Sequence, residues 1–425
     1  MLYYLFSYLQ QIDVSGARLF SYITFRAGLA FVLALVVSVW FGNWFIKLLK
    51  RKHVSETQRD EHLDPFGRDK KDVPTMGGVV IIAAMLLAVL LVGRLDNIYL
   101  LLVVITTVLL GVVGFIDDYI KTFKHNKNGL HGWWKIAAQV MLGLIVGLTL
   151  RYSPTVVMNE TVEMHIKNNK EVVYKSADVK STQTTIPFVK HHNLRYSDFF
   201  SFLDEPYRSR AGWGLFVLMT VLVVAAVSNG TNLNDGLDGM AAGNSTVICM
   251  AIMLLAYISG NVIWADYFKV MYIPGSEELM VVLAALTGAL IGFLWYNIYP
   301  AQIFMGDTGS LTLGGIIAVS AVIIHKELML PLICGVFLME SLSVILQTRY
   351  YKYYKKRGLR KRIWVSSPFH DHFRKSINEV LAYDPLCTFV FKGPKTLHFE
   401  TKVTMRFWIV TILLVAFAII SLKIR

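Results

Sequence analysis

Residues Ile98–Ile116 read IYLLLVVITTVLLGVVGFI without a single charge, and the chain then turns abruptly polar at Asp117–Asp118–Tyr119–Ile120–Lys121. An apolar run of about 18 or more residues is the length a helix needs to cross a hydrocarbon core of ~30 Å. Working outward, similar blocks recur at Ala27–Ile46, Met76–Gly93, Trp133–Leu150, Gly212–Val227, Met240–Ile258, Leu279–Tyr296, Leu311–Ile324, Leu328–Leu346 and Phe407–Leu422. The whole chain agrees with this pattern: of 425 residues, 55% are apolar and only 17% charged, against roughly a quarter charged in soluble proteins. A single water-soluble domain with a polar skin is excluded. The fold predicted is an all-α polytopic membrane protein of about ten transmembrane helices.

Ten spans place both termini on one side and the odd-numbered loops on the other. The odd loops hold about 25 Lys and Arg against about 15 elsewhere, and nine of the latter lie in the long segment Arg151–Ala211, where loop charge no longer steers insertion. The odd loops are therefore read as cytoplasmic and the termini as external. The net charge of +13 then reflects topology and anionic lipid, so membrane lipids and not nucleic acid are the expected partners. Residues 1–26 lack a basic start and carry Gln10, Gln11, Asp13 and Arg18, which fits an interfacial segment better than a cleaved signal peptide. Residues 27–425 form one transmembrane domain, with an external loop 151–211 and a cytoplasmic loop 349–404. Short alternating stretches such as Glu171–Tyr174 suggest a small external hairpin. Cys249, Cys334 and Cys387 form no CxxC pair, so neither a disulfide framework nor a zinc site is expected.

The acidic motifs fall at span ends, and all lie on the cytoplasmic side. Adjacent helix positions point about 100° apart, so Asp117 and Asp118 can divide two jobs, one facing a metal or phosphate and one a proton. Lys121 shares the face of Asp117, and a plain i, i+4 ion pair is the structural alternative. The loop Asn229–Gly239, NGTNLNDGLDG, gathers amide and carboxylate oxygens with no opposing Lys or Arg, a pattern that calls for a cation or a donor-rich ligand. Asp307 sits between glycines just ahead of a span. Capping of the helix by Asp307 or Thr308 is one reading; a helix start for phosphate with a carboxylate for Mg²⁺ beside it is the other, and both can hold. Pro368–Phe373 carries His370–Asp371–His372, which suits phosphate hydrogen bonding better than metal ligation among such hard, oxygen-rich neighbours. Glu340 is the clearest acid inside a span; it lines a lipid groove or pairs with a neighbour such as Ser341 or Gln347.

These residues resemble the phospho-N-acetylmuramoyl-pentapeptide-transferase family (MraY), within the polyprenyl-phosphate N-acetylhexosamine-1-phosphate transferases. The matching pieces are Pro74–Gly78, Gly114–Asp118 with Lys121, Asn229–Gly239, Phe304–Ser310, Arg362–Phe373 and Arg406–Arg425. The resemblance implies a multi-pass enzyme of the bacterial inner membrane, a homodimer, with a Mg²⁺-dependent cytoplasmic site. The implied reaction moves phospho-MurNAc-pentapeptide from UDP-MurNAc-pentapeptide to undecaprenyl phosphate, giving lipid I and UMP. Carried onto this chain, Asp307 is the Mg²⁺ ligand with Asp118 a second contact, and Asp117 is the general base. Lys70 and Lys121 would meet phosphate or uridine. Asn232, Asp235, Gly236, Leu237, Asp238, Asn297 and Phe304 resemble the nucleoside pocket, with Thr75, Asn229 and Gln347 among the further substrate contacts. His370 and His372 would meet the sugar-diphosphate side.

The chain departs from the family where His-His-His becomes His370–Asp371–His372, where the stretch Ser376–Phe399 is inserted, and where Arg151–Ala211 is long. An acid at 371 should pair with Arg362 or Arg374 and orient the flanking histidines; Asp371→His is then expected to be nearly neutral. Single displacement is favoured over an aspartyl-phosphate intermediate because phosphate is already a competent nucleophile near neutral pH. The rival functions are a UDP-GlcNAc:polyprenyl-phosphate GlcNAc-1-phosphate transferase and a secondary transporter, whose charged residues should sit at mid-membrane in broken helices.

Overall fold

The computed structural model describes residues 1–14, 16–52, 73–124, 126, 128–165, 172–188, 193–394 and 396–423. Its helices in chain order are α1 (Leu2–Gln11), α2 (Ile23–Arg51), α3 (Gly78–Val92), α4 (Ile98–Phe123), α5 (Gly132–Tyr152), α6 (Tyr207–Asn234), α7 (Met240–Ser259), α8 (Val262–Phe268), α9 (Leu279–Asn297), α10 (Gly306–Ile323), α11 (Leu330–Ile333), α12 (Gly335–Lys355), α13 (Phe369–Arg374), α14 (Ile377–Tyr383) and α15 (Glu400–Ser421). Among the described residues, eight are long and apolar enough to cross a membrane: α2, α4, α5, α6, α7, α9 with the turn before it, α10 and α15. The stretch Leu328–Leu346, expected as one span, instead bends by 79° between the α11 and α12 segments. The tenth expected span is α3, which is apolar but only 15 residues long. The chain is an all-α, multi-pass membrane protein.

The bundle is built around α10. Every residue from Asp307 to Ile323 is buried, and the helix is enclosed by α3, α4, α6 and α7, so it is apolar on all sides where a surface helix would be two-faced. The outer helices leave large apolar side chains exposed, as on α4 at Ile105, Val108 and Val112 and on α15 at Ile409, Ile412 and Leu413, which is the arrangement lipid requires. Close approach at the centre rests on glycine. A Cβ on Gly114 of α4 would lie 2.6 Å from the Cα of Thr308, so α10 reaches α4 only because no side chain stands between them.

Among the described residues, three small two-stranded sheets lie outside the bundle. Strands β1 (Met158–His165) and β2 (Val172–Val179) pair antiparallel, the hairpin expected in the long loop, while β3 (Gln183–Thr185) and β4 (Asn193–Arg195) form a second antiparallel pair. At the other end, β5 (Lys361–Arg362) and β6 (Thr388–Phe389) pair in parallel. The N-terminal segment divides into α1 and a 3₁₀ turn at Ala17–Ser21. A cavity of about 450 Å³ lies beside it, and there Arg26 is buried and held by Glu278 at 2.6 and 3.0 Å. The chemistry collects at the opposite end of the bundle, where α4, α6, α9 and α12 finish and α5, α7, α10 and α15 begin.

Candidate active site

Helix α4 runs beyond its apolar stretch, and its final turns carry both aspartates. Asp118 points at the start of α10. Its Oδ1 accepts the Asp307 N–H at 3.0 Å, and its Oδ2 accepts the Thr308 N–H at 2.9 Å and the Thr308 hydroxyl at 2.6 Å. Capping of α10 by its own Asp307 or Thr308 therefore gives way to capping from a neighbouring helix, since Met305 at the N-cap position supplies no side-chain bond. Gly306 makes this possible: its φ is +73°, and a Cβ there would come 2.6 Å from Asp118 Oδ2.

Asp117 points the other way, toward α5. Its Oδ1 accepts the Leu130 N–H at 2.7 Å and lies 2.8 Å from Lys135 Nζ, while Lys121 Nζ is 2.6 Å from its Oδ2. Both lysines also reach Asp307 Oδ2, at 3.2 Å for Lys121 and 2.5 Å for Lys135. Oxygens of Asp117, Asp118 and Asp307 lie within 4.8 Å of one another, and all three residues are buried. Asp117 and Asp307 thus face two ammonium groups, with the Asp118 carboxylate beside them. An all-oxygen donor set of this charge suits a hard divalent cation such as Mg²⁺ and not a soft metal.

Two walls flank the cluster. One is the turn between α6 and α7, stapled to the segment before α10: Gly239 N–H donates to Asn297 Oδ1 at 3.1 Å, Asn297 Nδ2 donates to the Ile303 carbonyl at 2.8 Å, and Ala301 N–H donates to Asp238 Oδ2 at 3.0 Å. The other is α13, a helix of less than two turns carrying the histidines. Glu340 on α12 accepts the Phe369 N–H at 2.7 Å and the His370 N–H at 3.2 Å, so it caps α13, and it lies 3.3 Å from His370 Nδ1. The two walls meet where the His370 ring packs directly on Gly236, leaving no room for a side chain there.

The sequence profile of the family described as Glycosyl transferase family 4 matches residues 100–325. Among curated proteins, the chain is 58% identical to the phospho-N-acetylmuramoyl-pentapeptide-transferase of Bacteroides thetaiotaomicron and 56% identical to that of Phocaeicola vulgatus. It is 48% identical to the transferase of the same name from Porphyromonas gingivalis, and each of these matches covers 100% of both chains. The chain belongs to the phospho-N-acetylmuramoyl-pentapeptide-transferase family. It is accordingly an enzyme.

For this member of the transferase family, the structure brings Asp117, Asp118, Asp307 and Lys121 together, and His370, Gly236 and Asp238 onto the flanking walls. Leu237 is buried in a small apolar cluster with Met240, Val336, Val403 and Phe407, anchoring the turn from behind. Asn232 accepts the Ser310 hydroxyl at 3.1 Å, and Asn229 Nδ2 donates to Gln139 Oε1 at 2.9 Å and to the Ala225 carbonyl at 2.8 Å, so both amides tie α6 to its neighbours. Phe304 is half-buried, and its backbone pairs with Pro74 and Gly77 on either side of the buried Thr75. Gln347 lies further out with its amide spent on the backbone: Oε1 accepts the Ile363 and Trp364 N–H groups and Nε2 donates to the Trp364 carbonyl. Asp235 has partners in the fold. Lys70 lies outside the described residues.

Asp371, the departure from the family pattern, pairs as expected with Arg374 at 3.3 Å and additionally with Lys375 at 3.0 Å; Arg362 instead lies over the Tyr351 ring. Burial alone would raise the Asp371 carboxyl, but His370, Lys375 and Arg374 outweigh it and hold it below the ordinary carboxylate range. Burial pushes the His372 imidazole below its ordinary value, and its Nδ1 accepts the Val365 N–H at 3.2 Å, which leaves the hydrogen on Nε2. Two residues, Lys135 and Glu400, were not found from sequence, and a third was found without its role. Lys135 is a lone base one turn into an apolar helix, where it reads equally well as an anchor at the membrane surface. Glu340 was noticed without its capping role. Glu400 accepts the Asp238 N–H at 2.7 Å and pairs with Arg374 at 3.3 Å, joining both walls through a residue that reads as an ordinary helix start.

Proposed function

We propose that the chain transfers phospho-MurNAc-pentapeptide from UDP-MurNAc-pentapeptide to undecaprenyl phosphate, giving lipid I and UMP, on the cytoplasmic face of a bacterial inner membrane. The observation that carries this reading is the buried Asp117–Asp118–Asp307 cluster with Lys121 and Lys135, set at the membrane end of the bundle in a chain homologous along its whole length to enzymes of that name. The orientation rests on the excess of basic residues in the loops at this end. Residues 1–26 are assigned as an interfacial segment, and residues 27–425 as one transferase domain with an external loop 151–211 and a cytoplasmic loop 349–404. The expected homodimer rests on the resemblance and is checked by particle mass in detergent.

In the reaction, an oxygen of the lipid phosphate attacks the sugar-bearing phosphorus of the UDP sugar, and the bond to the UMP oxygen breaks. Several negative charges converge, so the protein's task is positioning and charge compensation. Asp307 and Asp118 would hold Mg²⁺, which when bound neutralises diphosphate charge. Lys121 and Lys135 already bridge Asp117 and Asp307, and an arriving phosphate competes for the same ammonium groups. Asp117 is assigned to take the proton of the lipid phosphate. Phosphate is already a competent nucleophile near neutral pH, so the transfer is assigned as a single displacement. The wall at Asn232–Asp238, Asn297 and Phe304 would receive the nucleoside, Thr75 and Lys70 further substrate contacts, and His370 and His372 the sugar diphosphate. Neutral His372, presenting Nε2–H, suits donation to a phosphate oxygen.

The rival donor is UDP-GlcNAc. Purified enzyme given each donor, with and without undecaprenyl phosphate and Mg²⁺, should release UMP from UDP-MurNAc-pentapeptide only when both are present. Preferential turnover of UDP-GlcNAc would assign the chain to the sister activity.

A further inference from the structure

The insertion Ser376–Phe399 has an ordered core and an apolar exterior. Ser376 and Glu379 close a capping box at the start of α14, Asp384 pairs with Arg360 at 2.7 Å, and β6 lies along β5, with Val390 and Phe391 N–H groups continuing the pairing to Arg362 and Ile363. Cys387 is buried and Phe389 half-buried, whereas Leu386 is 75% exposed and Val390 54%. Phe391 follows at 55%, and Phe399, the residue that opens α15, is 80% exposed. Four large apolar side chains exposed within one short insertion outside the spans mark an interaction surface.

The position of the patch identifies what it meets. Phe399 precedes the first turn of the membrane-crossing helix α15, whose unbroken apolar run begins about two turns further on at Phe407, so it stands at the membrane surface just outside that entry, and exposed apolar side chains of α15 resume at Met405 and Ile409. Lys392, Lys402 and Arg406 are exposed in the same stretch and supply charge of the sign that anionic headgroups attract. We propose that this insertion is a foot resting on the membrane surface, with Leu386, Val390, Phe391 and Phe399 in the headgroup–acyl boundary and the basic side chains on anionic headgroups. The foot is joined to α13: His398 N–H donates to the Phe373 carbonyl at 3.1 Å, and the two rings stack. Lipid contact would thereby hold the histidine wall at the membrane surface. The inference requires only the multi-pass fold and stands apart from the identity of the donor.

The test uses full-length protein in nanodiscs with an environment-sensitive fluorophore attached at Leu386→Cys, at Phe391→Cys, or at Asn378→Cys, an exposed polar site on the same insertion. The native cysteines are buried, and unsubstituted protein gives the background. Apolar side chains at an interface sink about 5–10 Å, so labels at 386 and 391 should be quenched at least about threefold more by acyl-chain nitroxide lipid than by aqueous iodide, with the reverse at 378. Replacing anionic lipid by zwitterionic lipid should lower nitroxide quenching at both positions. Iodide quenching at 386 and 391 equal to that at 378 would overturn the proposal in favour of a protein-binding or solvated surface. Equal nitroxide quenching in the two lipid compositions would overturn the role given to the basic side chains.

Discussion

Asp371 is the residue at which geometry revises an expectation most sharply. From sequence, restoring histidine there should be nearly neutral; in the structure the carboxylate is mostly buried between Arg374 and Lys375, and Arg374 reaches on to Glu400. An imidazole would leave those cations facing each other. Asp371→His is therefore expected to lose at least about tenfold in kcat/KM, ~1.4 kcal/mol, with Asp371→Asn less affected because the shape is kept. Steady-state kinetics of the two variants decide this. His372 gives a pH signature. Its imidazole is depressed below 6.5 by burial, so the stabilising neutral form is fully present above 6.5 and is lost as pH falls through the lower folded value. The acid limb of activity should contain a step below pH 6.5 that His372→Asn removes, because an amide oxygen can accept from Val365 without titrating. An unchanged acid limb in the variant would remove His372 from the proton balance of the site.

At the scale of the element, short pieces depend on capping supplied from elsewhere. α13 is less than two turns long and cannot persist by propensity, so the carboxylate of Glu340 on α12 provides its start. Hydrogen bonds to charged groups contribute about 1.5–3 kcal/mol, and Glu340→Gln replaces one acceptor oxygen by a donor facing an N–H. This variant should purify with a near-normal melting temperature yet lose at least about tenfold in kcat/KM. Gly114→Ala acts through helix separation: its Cβ would press on the first turn of α10, a collision that typically costs about 1–3 kcal/mol and displaces Asp307. Both melting temperature and turnover should fall, and a fully active Gly114→Ala enzyme would show that α10 has slack at its start. Such relations explain what the sequence concealed. The i, i+4 relation of Asp117 and Lys121 lies within one helix and was legible, whereas capping of α10 by Asp118 and of α13 by Glu340 joins residues 189 and 29 positions apart.

At the scale of the molecule, hydropathy was enough to locate the helices because a bilayer demands long apolar runs, and each of the ten expected spans corresponds to a helix or a bent helix pair. The bend at Cys334 was not legible, since apolar residues continue through it and periodicity carries no angle. The acids also announced themselves, being polar groups at the ends of apolar runs. Lys135 did not stand out, because a lysine near a helix end reads equally well as an anchor that snorkels to the surface. The bundle brings these groups to one end, where α4 and α10 gather three carboxylates and two of them meet the two lysines. The central claim is that this cluster is a divalent-cation and phosphate site. It is tested most directly by the rate of UMP release from UDP-MurNAc-pentapeptide and undecaprenyl phosphate, measured for unsubstituted enzyme and Asp307→Asn across a Mg²⁺ titration. The unsubstituted enzyme should be inactive without Mg²⁺, and Asp307→Asn, purified in comparable yield, should lose at least about 100-fold, ~2.7 kcal/mol, at every Mg²⁺ concentration, because an amide offers the cation no charge. Near-normal turnover of Asp307→Asn at ordinary Mg²⁺ would contradict the claim.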